Sequence, residues 1–259
     1  MTDRRRLIAL VPARAGSTRV RGKNVRPLAG HPLIAYTIAS AHETGLFERV
    51  VVSTDSEEIA AVARHYGAEV PFLRPAEMAS ATSPDIEWIR HALAQLGGDA
   101  YDAFALLRPT SPFRSAATIR RACEQLVRVS EAQPVDSLRA VELCRQHPGK
   151  MWVLEGDLMR PLLDGSVDGV PWHSSQYQAL PRVYVQNSSL EIAWTKTVAD
   201  HDSIAGEVVV PFLTDELEGF SIDYDSDWER AEALVASGEA TLPAVPQPPY
   251  AAPAATATP

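Results

Sequence analysis

Apolar runs of strand length alternate with helical patterns through the first half of the chain. Residues 7–11 and 50–52 form two such runs. Between them, residues 32–44 place apolar side chains at helical spacing, with Pro32 at the start and Gly45 just after the end. A strand, a helix and a second strand at this spacing form a parallel sheet with right-handed crossovers. The sequence therefore predicts an α/β fold with a mostly parallel sheet.

Later segments continue the pattern. Residues 84–96 and 115–128 are predicted to be helices, and residues 103–107 are predicted to be a central strand. Ser56 is predicted to cap a helix after the second strand, and its neighbour Asp55 is interpreted as a further helix cap. The first half of the chain is thus assigned to repeated strand and helix units.

A basic loop that contains glycine follows the first apolar run. Pro12 ends regular strand pairing because proline has no N–H to donate, and Gly16 and Ser17 follow shortly after. Backbone N–H groups in such a loop can point at phosphate oxygens, and cations neutralise their charge. The loop is predicted to hold a polyphosphate at the carboxyl edge of the sheet, with an ordinary basic surface loop as the alternative. Its cations are Arg14, Arg19, Arg21, Lys23 and Arg26.

The spacing excludes two better-known phosphate loops. A Walker A loop needs four residues between its first glycine and Gly-Lys, followed by Ser or Thr. Here five residues separate Gly16 from Gly22, and Asn24 follows Lys23. The G-x-G-x-x-G pattern of dinucleotide-binding folds is also absent, which disfavours a nicotinamide-dependent oxidoreductase.

Composition narrows the class of partner and compartment. The net charge of −9 argues against non-specific nucleic-acid binding, which needs a basic face. No apolar run approaches the ~20 residues that cross a bilayer, so no membrane association is expected. The basic residues 1–6 precede an apolar run that is too short for a signal-peptide core. Cys123 and Cys144 fit reduced thiols, and a cytoplasmic location is expected.

Two carboxylates near the end of the chain indicate a metal site. Asp223 and Asp225 lie two residues apart, so on an extended backbone they point to the same side. Such a pair is a hard-oxygen site suited to Mg²⁺, which usually keeps waters and bridges to phosphates. The alternative is that these residues cap the helix predicted over residues 228–236. Asp227 fits that role, whereas the other two lie too early in the chain.

Several motifs occur in order along residues 7–235. They are PARAGS at 12–17, KN at 23–24, VSTD at 52–55, RPAE at 74–77, LLRPTSPFR at 106–114, LPRVYVQN at 180–187 and SIDYD at 221–225. Together they resemble the signature of the acylneuraminate cytidylyltransferases, the family that makes CMP-activated acid sugars.

The resemblance implies a fold, a reaction and a set of site residues. The expected fold is a three-layer α/β/α Rossmann-like sheet of the nucleotide-diphospho-sugar transferase type with a small antiparallel insertion. The implied reaction is transfer of CMP from CTP to an acid sugar, with Mg²⁺ on Asp223 and Asp225 and with Arg14 and Lys23 holding the triphosphate. The residues that it assigns to the nucleotide are Ala13, Arg14, Gly16, Ser17, Lys23, Asn24, Arg74, Arg108, Pro109, Thr110 and Ser111.

The acceptor is less closely specified. The resemblance implies a nine-carbon acid sugar contacted by Gln178, Tyr184 and Asn187. The chain departs from the family pattern in having no Arg just before the Leu-Pro pair, Ser188 in place of the usual Gly, and Arg108 where relatives often carry Gln. An eight-carbon Kdo-like acid, another sugar or a phosphonate is an alternative acceptor. A nucleotide-binding protein without catalysis is the alternative of another class.

The resemblance also predicts the domain organisation. Residues 1–240 form the nucleotidyltransferase domain, in which residues of about 142–182 are an insertion of short antiparallel strands and loops. In the family this insertion reaches across to a second subunit, which implies a homodimer, and a flap within one subunit is the alternative. Residues 241–259, rich in proline and alanine, are predicted to be a disordered tail.

Overall fold

The computed structural model describes residues 5–17, 19–215 and 217–251. The chain divides into two compact units. The first unit comprises Met1–Ala140 and Asn187–Pro259, and the second comprises Val141–Gln186. The predictions for the first four residues and for residues 252–259 lie outside the described residues.

Strands and helices alternate along residues 7–132, as the sequence predicts, and short strands follow in the second unit. The strands in chain order are β1 (Leu7–Pro12), β2 (Pro27–Leu28), β3 (His31–Pro32), β4 (Phe47–Ser53), β5 (Ala103–Leu106), β6 (Ser137–Leu143), β7 (Trp152–Glu155), β8 (Leu158–Pro161), β9 (Ser166–Val167), β10 (Val170–Pro171), β11 (Tyr184–Trp194) and β12 (Val209–Leu213). The α-helices are α1 (Leu33–Glu43), α2 (Glu57–His65), α3 (Asp85–Gln95), α4 (Ala116–Ala132), α5 (Thr195–His201) and α6 (Asp225–Ser237).

The main sheet is mixed, and its parallel strands β5, β1 and β4 lie together at one end. Its strand order is β12-β6-β11-β5-β1-β4. β1 pairs in parallel with both β4 and β5, whereas β11 runs antiparallel to β5. Parallel pairing of β1 with β4 follows from the intervening helix α1, because parallel strands need a crossover connection. The predicted α/β fold with a largely parallel sheet is confirmed.

Alternate side chains of β1 belong to two separate hydrophobic clusters. Ala9 and Val11 pack with residues of α1, α2 and α4, and Ile8 and Leu10 pack with residues of α3 and α5. Successive strand side chains point to opposite faces of a sheet, so the two clusters lie on its two faces. Helices therefore cover both faces, which is why residues 7–11 are apolar throughout.

Serine residues cap two of these helices. Ser56 Oγ accepts from the backbone N–H of Ile59 at the start of α2, as predicted, and Ser115 Oγ accepts from Thr118 at the start of α4. α6 was predicted to start at Trp228, but it begins at Asp225. The predicted boundary was wrong because the Asp227 carboxylate turns back from inside the first turn, where Oδ2 accepts from the N–H groups of residues 223 and 224 at 2.8 Å each.

The second unit is built of short antiparallel strands. β7 pairs with β8 and β9 pairs with β10, both antiparallel. Trp172 packs against two positions that have no side chain: a Cβ at Gly165 would lie 2.5 Å from its ring, and one at Gly149 would lie 2.9 Å away. These two glycines allow the loops to close around one partly buried aromatic side chain.

The segment after α6 differs from the predicted disordered tail. Residues 241–251 run along the first unit, where the Tyr250 backbone N–H donates to Tyr66 Oη at 3.0 Å and Gln247 Nε2 donates to the Tyr66 carbonyl at 3.3 Å. Val245 and Tyr250 also pack against the main hydrophobic cluster. Isolated apolar side chains anchor this segment, and they leave no periodic pattern that the sequence could reveal.

Among the described residues, no helix combines the length and the apolar character needed to span a membrane.

Candidate active site

A cleft lies where β1, β4 and β5 end. The basic loop after β1 and the loop after β5 both contribute to its lining, as expected for ligand sites at the carboxyl edge of an α/β sheet. The structure thus brings together motifs that are far apart in the sequence. Of the residues predicted to contact the nucleotide, those that line the cleft are Arg14, Ser17, Lys23, Asn24, Arg74, Arg108, Pro109 and Thr110.

Hydrogen bonds fix the backbone of the basic loop. The N–H of Ala13 donates to the Ser53 carbonyl at 3.0 Å, which continues the pairing of β1 with β4. The N–H of Ala15 donates to Asp55 Oδ1 at 2.8 Å, and Asn24 Nδ2 donates to the Arg14 carbonyl at 3.1 Å. Asp55 therefore anchors the loop. Its interpretation as a helix cap was wrong because Ser56 performs that role.

Lys23 joins the basic loop to the segment before α6. Its Nζ donates to the Ile222 carbonyl at 2.8 Å and lies 3.7 Å from Asp223 Oδ1. Arg19 Nη2 is also 3.7 Å from that oxygen. Burial lowers the pKa of Lys23, and the nearby Asp223 carboxylate partly opposes this effect. The ammonium is thus partly desolvated, which strengthens its attraction to an anion in the cleft.

The two predicted metal ligands have different surroundings. Asp223 lies beside Lys23, and its Oδ2 accepts from Ser221 Oγ at 2.9 Å. Asp225 Oδ1 instead pairs with Arg26 Nη1 at 2.8 Å, and its side chain is 69% exposed. Asp225 is the first residue of α6, so the two carboxylates do not both lie on a continuous extended strand, and each has its own cationic partner.

Arg74 forms part of the cleft wall and is held rigidly. Its Nε donates to Ser53 Oγ and its Nη2 donates to the Ser53 carbonyl, both at 3.0 Å. Its guanidinium carbon lies 4.5 Å from the centre of the Trp88 ring, a cation–π contact. Burial lowers the pKa of Arg74 to about 10, so the group stays charged at neutral pH.

Arg108 is the centre of an ion-pair cluster. Its Nη2 donates to Asp85 Oδ2 at 2.7 Å and to Glu191 Oε1 at 2.9 Å, and Arg139 Nη1 lies 2.7 Å from Glu191 Oε2. Burial alone would lower the pKa of Arg108, but the two carboxylates outweigh it and raise that pKa. Sequence reasoning missed Asp85 and Glu191. An acidic residue inside the apolar strand 190–194 was the available signal for the latter.

Arg114 holds the loop after β5 in place through hydrogen bonds. This fully buried side chain donates to the Arg108 carbonyl at 3.1 Å and to Thr37 Oγ1 at 2.9 Å. Burial lowers the pKa of Arg114 to about 9. Ser111 is 1% exposed and does not line the cleft, so its predicted contact with the nucleotide is not supported by its position. Ala13 and Gly16 also lie outside the lining and contribute backbone to the loop.

The residues predicted for the acid sugar fall in both units. Asn187 belongs to the first unit, where its Nδ2 donates to Thr214 Oγ1 at 2.9 Å and its Oδ1 accepts from the Ser189 N–H at 3.2 Å. Gln178 and Tyr184 belong to the second unit, and both are exposed. Asn187 therefore has a structural role at the end of β12.

Comparisons with known proteins show the family of the chain. A family model described as Cytidylyltransferase matches residues 8–147. The chain is 36% identical over 244 residues to CMP-N,N'-diacetyllegionaminic acid synthase of Legionella pneumophila, covering 92% of this chain and 99% of that protein. It is 33% identical over 232 residues to N-acylneuraminate cytidylyltransferase of Escherichia coli, covering 88% of this chain and 52% of that protein.

A solved structure shares the fold. The structure of CMP:2-keto-3-deoxy-manno-octonic acid synthetase complexed with CTP superposes with a TM-score of 0.65 at 14% identity, covering 90% of this chain and 99% of that one. At this identity the likeness concerns the fold alone. The family match and the two relatives together show that the chain belongs to the cytidylyltransferase family and is a nucleotidyltransferase.

Proposed function

We propose that the protein transfers CMP from CTP to an acid sugar of the nonulosonic class and releases pyrophosphate. The observation that carries this proposal is the clustering of Arg14, Arg19 and Lys23 along a cleft at the carboxyl edge of the sheet. These three cations of the basic loop match the charge of a triphosphate. The relatives named for legionaminic and acylneuraminic acids support an acid sugar as acceptor.

The chemistry is a single displacement at phosphorus. A hydroxyl oxygen of the acceptor forms a bond to the α-phosphorus of CTP and releases its proton to solvent, the bond from that phosphorus to the bridging oxygen breaks, and the electron pair leaves with pyrophosphate. The protein contributes mainly position and charge neutralisation. Arg14 and Lys23 would hold the triphosphate and offset the charge that develops on the leaving group.

We further propose that the reaction uses Mg²⁺ held at Asp223, with Asp225 as a second ligand. Asp223 fits this role because it is 35% exposed beside Lys23, which lines the cleft. Asp225 would have to exchange its partner Arg26 for the cation. The described residues contain no group of three or more His, Cys, Asp or Glu side chains suited to a metal, so phosphate and water would supply most ligands. Bound Mg²⁺ would offset phosphate charge.

The test is an assay of pyrophosphate release from CTP. The protein is incubated with CTP, Mg²⁺ and one acid sugar at a time, namely N-acetylneuraminic, legionaminic, pseudaminic and Kdo-type acids, with and without a chelator. We expect release with a nine-carbon acid, loss of release with the chelator, and a CMP-sugar product in the mass spectrum. Binding of CTP without turnover on any acid would contradict the proposal and would favour a nucleotide-binding protein or another acceptor.

A homodimer that uses the β7–β8 hairpin is part of the proposal. This hairpin exposes large apolar side chains on both strands: Leu154 and Leu158 are each 76% exposed and Met159 is 56% exposed. Apolar groups concentrated on one small element are typical of a protein interface. A second copy of the chain is the proposed occupant, in line with the insertion that the family resemblance implies.

Replacing Leu154 and Leu158 by lysine should convert the dimer to a monomer, because the paired surface would then carry unpaired charge. Sedimentation equilibrium measures the mass, and the matched variant is Leu73→Lys, an exposed leucine of the first unit. A wild-type chain that sediments as a monomer at high concentration would refute the dimer.

We also propose a cytoplasmic location, where CTP is available. Neither cysteine takes part in a disulfide in the described structure, in keeping with a reducing compartment. Detection of the native protein outside the cytoplasmic fraction of the source cells would contradict this proposal.

A further inference from the structure

One wall of the cleft presents a hydrogen-bond acceptor and a hydrogen-bond donor side by side. Asp85 and Arg108 both line the cleft, and they are joined by the bond from Nη2 to Oδ2 at 2.7 Å. Their side chains are 32% and 25% exposed, so a ligand can reach both. Trp88 Nε1 donates to Asp85 Oδ1 at 2.7 Å and fixes the carboxylate from the other side. The pair is thus accessible but held in place.

The charge of this wall differs from that of the basic loop. Arg108 and Arg139 face Asp85 and Glu191, so the four formal charges cancel. A phosphate would meet the Asp85 carboxylate here, which is unfavourable, whereas the loop offers it Arg14 and other cations. The neutral part of a nucleotide is therefore the part that suits the Asp85 wall.

The hydrogen-bonding groups of the wall match one pyrimidine. Among the described residues, both bonds of Arg108 to carboxylates leave from Nη2, and Nη1 and Nε have no protein partner. These N–H groups can donate to base oxygens or ring nitrogens, and the carboxylate of Asp85 has lone pairs for a further donor. Cytosine presents an amino donor next to its N3 and O2 acceptors, while uracil presents O4 in place of the amino group.

We propose that Asp85 and Arg108 together recognise the base and select cytosine over uracil, with Glu191 as the residue that positions Arg108. This inference rests on the proposed use of CTP. The Asp85 carboxylate accepts from the 4-amino group, and Arg108 donates to the N3 and O2 edge. Uracil is rejected because its O4 faces the carboxylate, and two acceptors at close range repel each other.

Glu191 is suited to a positioning role. Its side chain is only 7% exposed on β11 and does not line the cleft, so it has no access to the nucleotide. Its two oxygens are divided between Arg108 and Arg139, at 2.9 and 2.7 Å. Arg139 thus orients Glu191, and Glu191 restrains the Arg108 side chain that would otherwise have several rotamers open to it.

The test measures binding of CTP and UTP by calorimetry, which needs no acceptor. The Asp85→Asn variant should lose preference for CTP, with the ratio of the two dissociation constants falling roughly 5- to 150-fold, because the neutral amide no longer carries the negative charge that attracts the 4-amino group and repels O4. Glu191→Gln should lower the same ratio by a smaller factor. The matched control is Glu69→Gln, which removes a carboxylate paired with Arg49 outside the cleft lining and should leave the ratio unchanged.

A second measurement uses the wild-type chain and does not depend on any variant folding. The probe is the CTP analogue that lacks the 4-amino group. The wild type should bind this analogue more weakly than it binds CTP. The Asp85→Asn variant should bind the analogue and CTP equally well. Equal binding of the analogue and CTP by the wild type, or an unchanged ratio in folded Asp85→Asn, would overturn the inference. If CTP selectivity behaves as expected while no acid sugar releases pyrophosphate, the proposed reaction fails and the base recognition stands.

Discussion

Replacing Lys23 by alanine is expected to lower kcat/KM for CTP by about 10²- to 10³-fold, the range found when one donor to a developing negative charge is removed. Lys23 Nζ lines the cleft and is partly desolvated beside Asp223. A buried cation stabilises the charge on leaving pyrophosphate more than an exposed one does, because water screens it less. Steady-state rates of pyrophosphate release at saturating acceptor measure the effect.

The control for Lys23 must separate catalysis from folding. Nζ also donates to the Ile222 carbonyl at 2.8 Å, so the variant loses a hydrogen bond worth about 1 kcal/mol of unfolding free energy. Thermal unfolding should therefore show a small decrease that cannot account for the rate. Lys196→Ala, in α5, is the matched variant and should retain the wild-type rate. A Lys23→Ala enzyme with nearly normal turnover would remove Lys23 from the site assignment.

Replacing Asp223 by asparagine is expected to lower kcat by at least ~10²-fold and to raise the Mg²⁺ concentration that gives half-maximal rate. The amide keeps the size of the carboxylate and an oxygen that can accept from Ser221 Oγ, but it loses the charge that would bind the cation. Titration of the initial rate with Mg²⁺ at fixed CTP separates the two effects.

Two further variants sharpen the metal test. Asp225→Asn should raise the Mg²⁺ requirement less than Asp223→Asn does, because Asp225 begins paired with Arg26 and is largely exposed. Asp215→Asn removes an acidic side chain that pairs with Arg121 away from the cleft lining, and it should leave the titration unchanged. An Asp223→Asn enzyme with the wild-type dependence on Mg²⁺ would refute the metal assignment.

Local patterns in the sequence were sufficient to predict the main helices and strands of the fold. Residues 8–11 of the first apolar run are buried on both faces of a sheet, and such a run has few other stable environments. The cap at Ser56 depends on a residue three positions away, so it too is visible in the sequence. The basic loop was recognisable because its glycines, serine and cations are contiguous.

Contacts between distant residues were not accessible in the same way. Asp55 anchors the basic loop through a bond that spans 40 positions, and Glu191 meets Arg108 across 83 positions. Before folding, a lone acidic residue has the same local appearance whether it caps a helix, pairs with an arginine or faces solvent. The start of α6 was misplaced for a similar reason, because the Asp227 side chain bonds to backbone groups that precede it.

The sequence by itself determined the alternation of strands and helices, the basic, glycine-containing character of the loop after β1, and the family. These properties depend on periodicity and on motifs within a few residues, where the chain's own geometry sets which side chains share a face. The tertiary structure alone decided which carboxylate lies beside Lys23, which residues position Arg108, and that residues 241–251 pack on the first unit. Those contacts depend on the register and packing of whole elements, which no local pattern specifies.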